Sequence, residues 1–201
     1  MRKSSINKKR IAMKKLRIIA VVVWLSMLFF TIQIATAQGF NSLDKAPQDI
    51  VYFKQEQNSK PVIKVVYGRP TAKQIEVFGK EIPYGKIWNT GANEATEVKF
   101  YQDVMFANKF VKAGTYVMYT IPGKNYWTII LNRNTDTYGA YFYSPSKDVA
   151  RIKVPATNGK PVDIFSIGFL TKTYGSQMVL AWGKTRVKIP LYLEDHLLTK
   201  V

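Results

Sequence analysis

From Ile50 onward the chain reads as short extended segments, each with one apolar and one polar face. Phe165, Ile167 and Phe169 alternate with Ser166 and Gly168. Met178, Leu180 and Trp182 repeat the pattern, as do Val187, Ile189, Leu191 and Leu193. A period of two puts one face of a strand in a core and the other toward water. The clearest unit is a hairpin: Thr115 to Ile121 is one arm, Pro122-Gly123-Lys124-Asn125 the turn, and Tyr126 to Leu131 the other arm. Pro presets φ in such a turn and Gly accepts what other residues resist. Further extended segments are expected at Val62–Tyr67, Val98–Tyr101, Val104–Phe106, Gly139–Tyr143, Val149–Val154, Val162–Leu170, Gln177–Trp182 and Thr185–Leu193. Only the residues near Thr71 to Phe78 suggest a short helix. About ten strands with frequent turn signals predict an all-β fold, an antiparallel β-sandwich with a jelly roll as one form of it.

The N-terminus follows a different pattern. Arg2, Lys3, Lys8, Lys9, Arg10, Lys14, Lys15 and Arg17 precede an apolar run, Ile18 to Ile34, and then Ala35-Thr36-Ala37. Basic region, hydrophobic region and small-residue cleavage site, in that order, are the marks of a signal peptide. Met13 is an alternative start with a tidier basic region. The competing reading is a retained anchor. The run of 17 residues gives about 25 Å of helix, against a bilayer core of about 30 Å that usually takes about 20 residues. The expected organisation is therefore residues 1–37 as signal peptide, 38–48 as a loose leader and 49–201 as a single all-β domain. The protein is expected to be exported, periplasmic or secreted, with membrane contact only through an uncleaved leader.

Composition changes the picture once the leader is set aside. Eight of the 30 basic residues and none of the 13 acidic ones fall in residues 1–37, so 22 basic against 13 acidic residues leave +9 for the rest. These charges stand singly, mostly as Lys, with no run of three. A nucleic-acid binder would more often show a clustered stripe, and none is expected as partner. Attraction to acidic glycans or anionic surfaces remains open, beside the plainer reading of a solvated surface. With no Cys, a lipid-modified lipoprotein and disulfides are both excluded.

Chemistry concentrates between Tyr67 and Thr96. Gly and Pro are dense there, and Arg69, Asn89, Asn93 and Glu94 lie among the aromatics Tyr84 and Trp88. Functional residues tend to occupy such loops. The same residues carry a resemblance. Tyr67-Gly68-Arg69-Pro70, Ile82-Pro83-Tyr84-Gly85-Lys86-Ile87-Trp88 and Thr90-Gly91-Ala92-Asn93-Glu94-Ala95-Thr96 resemble the bacterial family catalogued as domain of unknown function 2911. Ala113 to Tyr116, Thr120 to Gly123, Trp127 to Asn132 and Tyr138 to Tyr141 are similar to it too, so the match spans roughly residues 45–193. The resemblance implies an exported bacterial protein and brings no activity with it. The family usually carries Arg after the Trp, where this chain has Asn89. If that Arg bound an anion, the contact is lost here or taken over by Lys86.

Each candidate has a plainer account. Glu94 could be a general acid or base if burial raised its pKa, with Asp103 and Glu97 the nearest carboxylates in sequence. A pair with Arg69 that ties two loops together explains it more simply. Asn93 fits a turn, Trp88 a core plug, and Tyr138, Tyr141 and Tyr143 an edge packing face. His196 is alone, whereas metal sites need several convergent ligands, so no metal or cofactor is expected. No Gly-x-Ser-x-Gly or phosphate loop is present. The expectation is a non-catalytic envelope protein that binds a small molecule, glycan or peptide through Arg69, Tyr84, Trp88, Asn93 and Glu94. A carbohydrate-directed hydrolase using Glu94 and a purely structural or assembly module are the alternatives.

Overall fold

The structure, a computed structural model, describes residues 2–32, 44–72, 76–172 and 175–193. The chain divides into two compact units, Met1–Leu43 and Asp44–Val201. Among its described residues the first forms one helix, α1 (Arg2–Ile32). Among the described residues no helix is long and apolar enough to cross a membrane. The expected cleavage site at Ala35–Ala37 and the tail residue His196 lie outside the described residues.

Among the described residues the second unit is one nine-stranded antiparallel sheet. Its strands are β1 (Gln48–Phe53), β2 (Ile63–Gly68), β3 (Glu97–Phe100), β4 (Val104–Phe106), β5 (Lys109–Val111), β6 (Gly114–Ile121), β7 (Tyr126–Asn132), β8 (Asp148–Lys172) and β9 (Gly175–Leu193). They run in the order β1-β2-β3-β6-β7-β8-β9-β4-β5. The all-β expectation holds. The β6–β7 hairpin forms as the sequence predicts, from Val117↔Asn132 to Ile121↔Thr128. A Cβ on Gly123 in its turn would lie 2.4 Å from the Tyr126 carbonyl oxygen, so only glycine fits.

Two pairs of segments expected as separate strands are each one long strand. β8 pairs through Pro155 with β7 and from Ala156 onward with β9. Register shifts between Asn158, Val162 and Ser166 mark where it bends. Proline is tolerated at such irregularities because no ladder hydrogen bond is asked of it. In the sequence, Pro155, Gly159 and Pro161 therefore look like a turn, yet they form a strand that leaves one half of the sheet for the other. Gly183 (φ 52°) plays the equivalent part in β9. The two halves then face each other across a shared core. Phe53 of β1 meets Phe169 of β8 at 5.6 Å, Phe100 of β3 meets Phe106 of β4 at 6.3 Å, and Tyr67 meets Phe165 edge-on at 5.7 Å between ring centres.

The strand expected at Gly139–Tyr143 is absent. Asp136 and Gly139 take positive φ (57° and 59°), which breaks the extended path. The segment instead caps the outer face of β6 and β7, where Ala140 and Tyr143 cover Val117, Tyr119 and Ile130. Tyr143 is half-buried while Tyr141 is 84% exposed, so the two do not share the expected packing face. Near the expected helix, Thr71 pairs with Ile164 and the Ala72 N–H donates to the Asp163 carbonyl, extending the sheet edge; residues 73–75 lie outside the described residues. Of the expected loose leader, residues 44–48 are tied down. Pro47 O accepts from the Arg69 N–H at 3.0 Å, and Asp44 accepts from the Asn93 amide at 2.9 Å.

Candidate functional site

The five residues singled out from the sequence do not meet in one open cleft. Arg69, just past the end of β2, pairs with Asp49 of β1 (Nη1 to Oδ2, 3.1 Å), not with Glu94. Its Nη2 also donates to Ser166 Oγ at 3.3 Å and its Nε to the Phe165 carbonyl at 3.4 Å. Tyr67 joins the same cluster: its hydroxyl accepts from the Ile167 N–H at 3.0 Å and lies 3.3 Å from Asp49 Oδ2. Burial pushes the Tyr67 phenol above its ordinary pKa, and the Asp49 carboxylate adds to the push. Arg69 and Tyr67 are thus latches between the two halves of the sheet. The expected Arg69–Glu94 pair fails because β1 places Asp49 directly opposite Tyr67 in register, and so closer to hand.

Trp88 is a core residue, as the plainer account has it. It is 7% exposed and stacks on Trp182 at 5.9 Å, with Phe78, Trp127 and Phe165 edge-on within 6.1 Å. Its indole N–H donates to the Gly91 carbonyl at 3.0 Å, satisfying the one polar group that burial would otherwise strand. Asn89, where the family usually has Arg, is buried, and its amide donates to the Asn93 carbonyl at 3.1 Å. Asn93 is in a left-handed turn (φ 62°), and its side chain reaches the segment before β1. Gly68 and Gly91 let this loop press backbone to backbone on β2. A Cβ on Gly68 would lie 2.2 Å from the Ala92 carbonyl oxygen, and one on Gly91 would lie 2.9 Å from Gly68 O. The Thr-Gly-Ala-Asn-Glu-Ala-Thr run is therefore largely a packing motif.

Glu94 is exposed and accepts from the Gln48 amide at 2.9 Å. With Glu97 and Asp136 it lines a pocket of about 170 Å³. Ligand sites usually span about 300–1,000 Å³, so this recess is too small for a sugar ring with its contacts. Asp103 lies elsewhere, holding the start of β6. It accepts from the Ala113 N–H at 2.7 Å and from Lys112 at 3.3 Å, and the backbone bond above all draws its pKa down. Among the described residues no group of His, Cys, Asp or Glu side chains is placed to hold a metal.

The larger concavity, about 650 Å³, is at the other end of the loop region, and of the five candidates only Tyr84 lines it. Four segments build it. The loop carrying Phe78 and Tyr84, the β6–β7 turn, the bend of β8 and the Gly183 irregularity of β9 meet there. Backbone bonds fix them together: Gly85 N–H to Pro122 O at 2.8 Å, and Ala156 N–H to Asn125 O at 2.9 Å. Phe78, Tyr84 and Trp182 give apolar wall. Tyr84 is 43% exposed, and its ring lies where a side chain on Gly79 would be. Asn125, Asn158 and Thr185 supply amides and a hydroxyl, while Lys124, Lys184, Glu76 and Asp163 supply charge. Such an arrangement can stack on a flat or ring-shaped group and hydrogen-bond its edges.

Apart from Tyr84, these lining residues are not legible in the sequence as a site, because they come from four stretches spread over more than a hundred residues. Their common signal was the Gly-Lys dipeptide at a turn, present at Gly123-Lys124, Gly159-Lys160 and Gly183-Lys184. Each looks like an ordinary turn taken singly.

No match to the chain was found among the curated proteins or among the solved structures. The model of one family, described as protein of unknown function (DUF2911), matches residues 47–191, the whole of the sheet but the last two residues of β9, and the chain belongs to that family.

Proposed function

We propose that this is an exported, non-catalytic protein of the bacterial envelope that holds a small molecule, glycan or peptide in the 650 Å³ cleft. The observation that carries the reading is the cleft itself, with Tyr84 exposed at its wall and amide, hydroxyl and charged groups converging on it. Its size suits a ligand of a few rings. The residues first suspected of binding are occupied otherwise: Trp88 by the core, Arg69 by Asp49 and β8, and Asn93 by the segment before β1. Export is supported by the basic, apolar and Ala-x-Ala sequence of residues 1–37. The small volume around Glu94 weighs against a hydrolase that would bring a sugar to that carboxylate.

A thermal-shift screen of the purified protein against oligosaccharides, short peptides and cell-envelope metabolites tests the reading. A ligand is expected to raise the melting temperature of the wild type. The shift is expected to vanish in Asn158→Trp, which fills the cleft, and to shrink in Tyr84→Ala. A screen without any hit, or a shift that survives both substitutions, would overturn it.

A further inference from the structure

Five of the twelve glycines are followed by lysine: Gly79-Lys80, Gly85-Lys86, Gly123-Lys124, Gly159-Lys160 and Gly183-Lys184. They are spread over more than a hundred residues, and the fold brings the segments that carry them to the cleft. Lys124 and Lys184 line it. Lys80, Lys86 and Lys160 each stand within two residues of a lining residue, namely Phe78, Tyr84 and Pro161. Direct bonds join the turns. Gly85 N–H donates to Pro122 O, Arg186 donates to the Lys160 carbonyl, and Val162 pairs with Gly183. All five lysines are exposed. Among the described residues only Lys80 is in an ion pair, at 3.5 Å to Glu76, with both side chains about 70% exposed. Among the lining residues Lys124 and Lys184 stand with Glu76 and Asp163, and Glu76 is engaged by Lys80.

Glycine explains why these lysines lie where they do. Gly79, Gly85 and Gly183 take φ of 91°, 74° and 52°, a region in which other residues are strained. Lys124 follows the β6–β7 turn and Lys184 the Gly183 irregularity of β9, and both reach the cleft. Lysine ammonium groups beside a recess concentrate an anionic ligand and select it over a neutral one. Tyr84 offers a flat face to a sugar ring, and Asn125, Asn158 and Thr185 face its hydroxyls.

We infer that the cleft takes an acidic saccharide, its carboxylates facing Lys124 and Lys184 and its ring against Tyr84. This rests on the binding reading above and names the ligand class. Isothermal titration of the purified protein with tetragalacturonate and with neutral galactotetraose tests it, beside vesicles of phosphatidylglycerol. Tetragalacturonate is expected to bind about tenfold or more tightly than galactotetraose, and to weaken as salt rises from about 0.05 to 0.5 M. Lys124→Gln/Lys184→Gln is expected to remove most of that preference. Lys109→Gln/Lys147→Gln, which deletes the same charge on other faces, is expected to leave it unchanged.

Equal binding of the two tetrasaccharides, blocked by Asn158→Trp, would overturn the charge selection and leave the cleft's binding role standing. Binding of neither, with a ligand of another class blocked by Asn158→Trp, would overturn the saccharide class alone. No ligand of any class would overturn both. Vesicles that bind through Lys124 and Lys184 without competition from tetragalacturonate would replace the saccharide by a lipid surface.

Discussion

Tyr67 shows how one hydroxyl can hold two halves of a sheet. Its oxygen accepts the Ile167 N–H of β8 and lies against Asp49, beside Arg69. Removing it by Tyr67→Phe leaves a buried N–H without a partner, at a cost of about 1–3 kcal/mol. The phenol's raised pKa adds a pH signature. The folded state holds this proton more tightly than the unfolded chain, so the contribution is complete below the ordinary phenol value of about 10. Above it the unfolded chain loses its proton first, and the contribution disappears as pH rises through the folded value. Urea unfolding from pH 7 to 11 is therefore expected to show wild type more stable than Tyr67→Phe at neutral pH, with the gap narrowing above about pH 10. A gap that stays constant would mean that the phenol titrates alike in both states. The Arg69–Asp49 pair is a weaker tie. Both side chains are more than a third exposed, and such a pair contributes about 1 kcal/mol or less.

At the scale of elements, the loop from Trp88 to Thr96 is held by fit more than by any one bond. Trp88 N–H and C=O pair with Thr120 of β6 at 2.8 and 2.9 Å, Thr96 Oγ1 donates to Thr90 O at 2.8 Å, and Gly68 receives the Ala92 carbonyl. Thr90, buried with φ of 61°, stays in a conformation that β-branched residues avoid because these contacts over-determine it. Gly68→Ala is expected to lower stability by about 1–3 kcal/mol through overpacking, read as a fall in melting temperature by circular dichroism. Gly168→Ala on β8, where a Cβ meets nothing within 4 Å, is the control and is expected to melt within about a degree of wild type. Equal melting of the two variants would refute the backbone-on-backbone packing. This loop also shows what a sequence motif conceals. Its Gly, Asn and Glu residues resemble binding chemistry, but most of them are taken up by packing and by partners elsewhere in the fold. Their partners, Gly68, Asp44 and Gln48, are 23 to 49 residues away in the chain, so spacing alone could not reveal the pairing.

For the whole molecule, the leader and the folded unit are separate problems. If residues 1–37 are a signal peptide, the intact mass of the protein exported by a bacterial host is expected to correspond to a chain beginning at Gln38. A mass beginning at Met1 or Met13 would show a retained leader. The folded unit's charge of +9 is spread along the chain, and the fold brings two of its lysines, Lys124 and Lys184, to the cleft. What the sequence determined by itself was local. Alternation of apolar and polar residues set which stretches are strands and which of their faces are buried, because side chains on a strand point to opposite sides whatever surrounds them. The Phe165–Ile167, Met178–Trp182 and Val187–Leu193 faces are core for that reason. The tertiary structure alone decided that Pro155 to Pro161 bends a strand and does not end it, that Arg69 meets Asp49, and that four distant segments meet at a cleft. Each of these depends on which strands become neighbours, and neighbourhood is set by the closing of the sheet over a common core, a property no single segment carries.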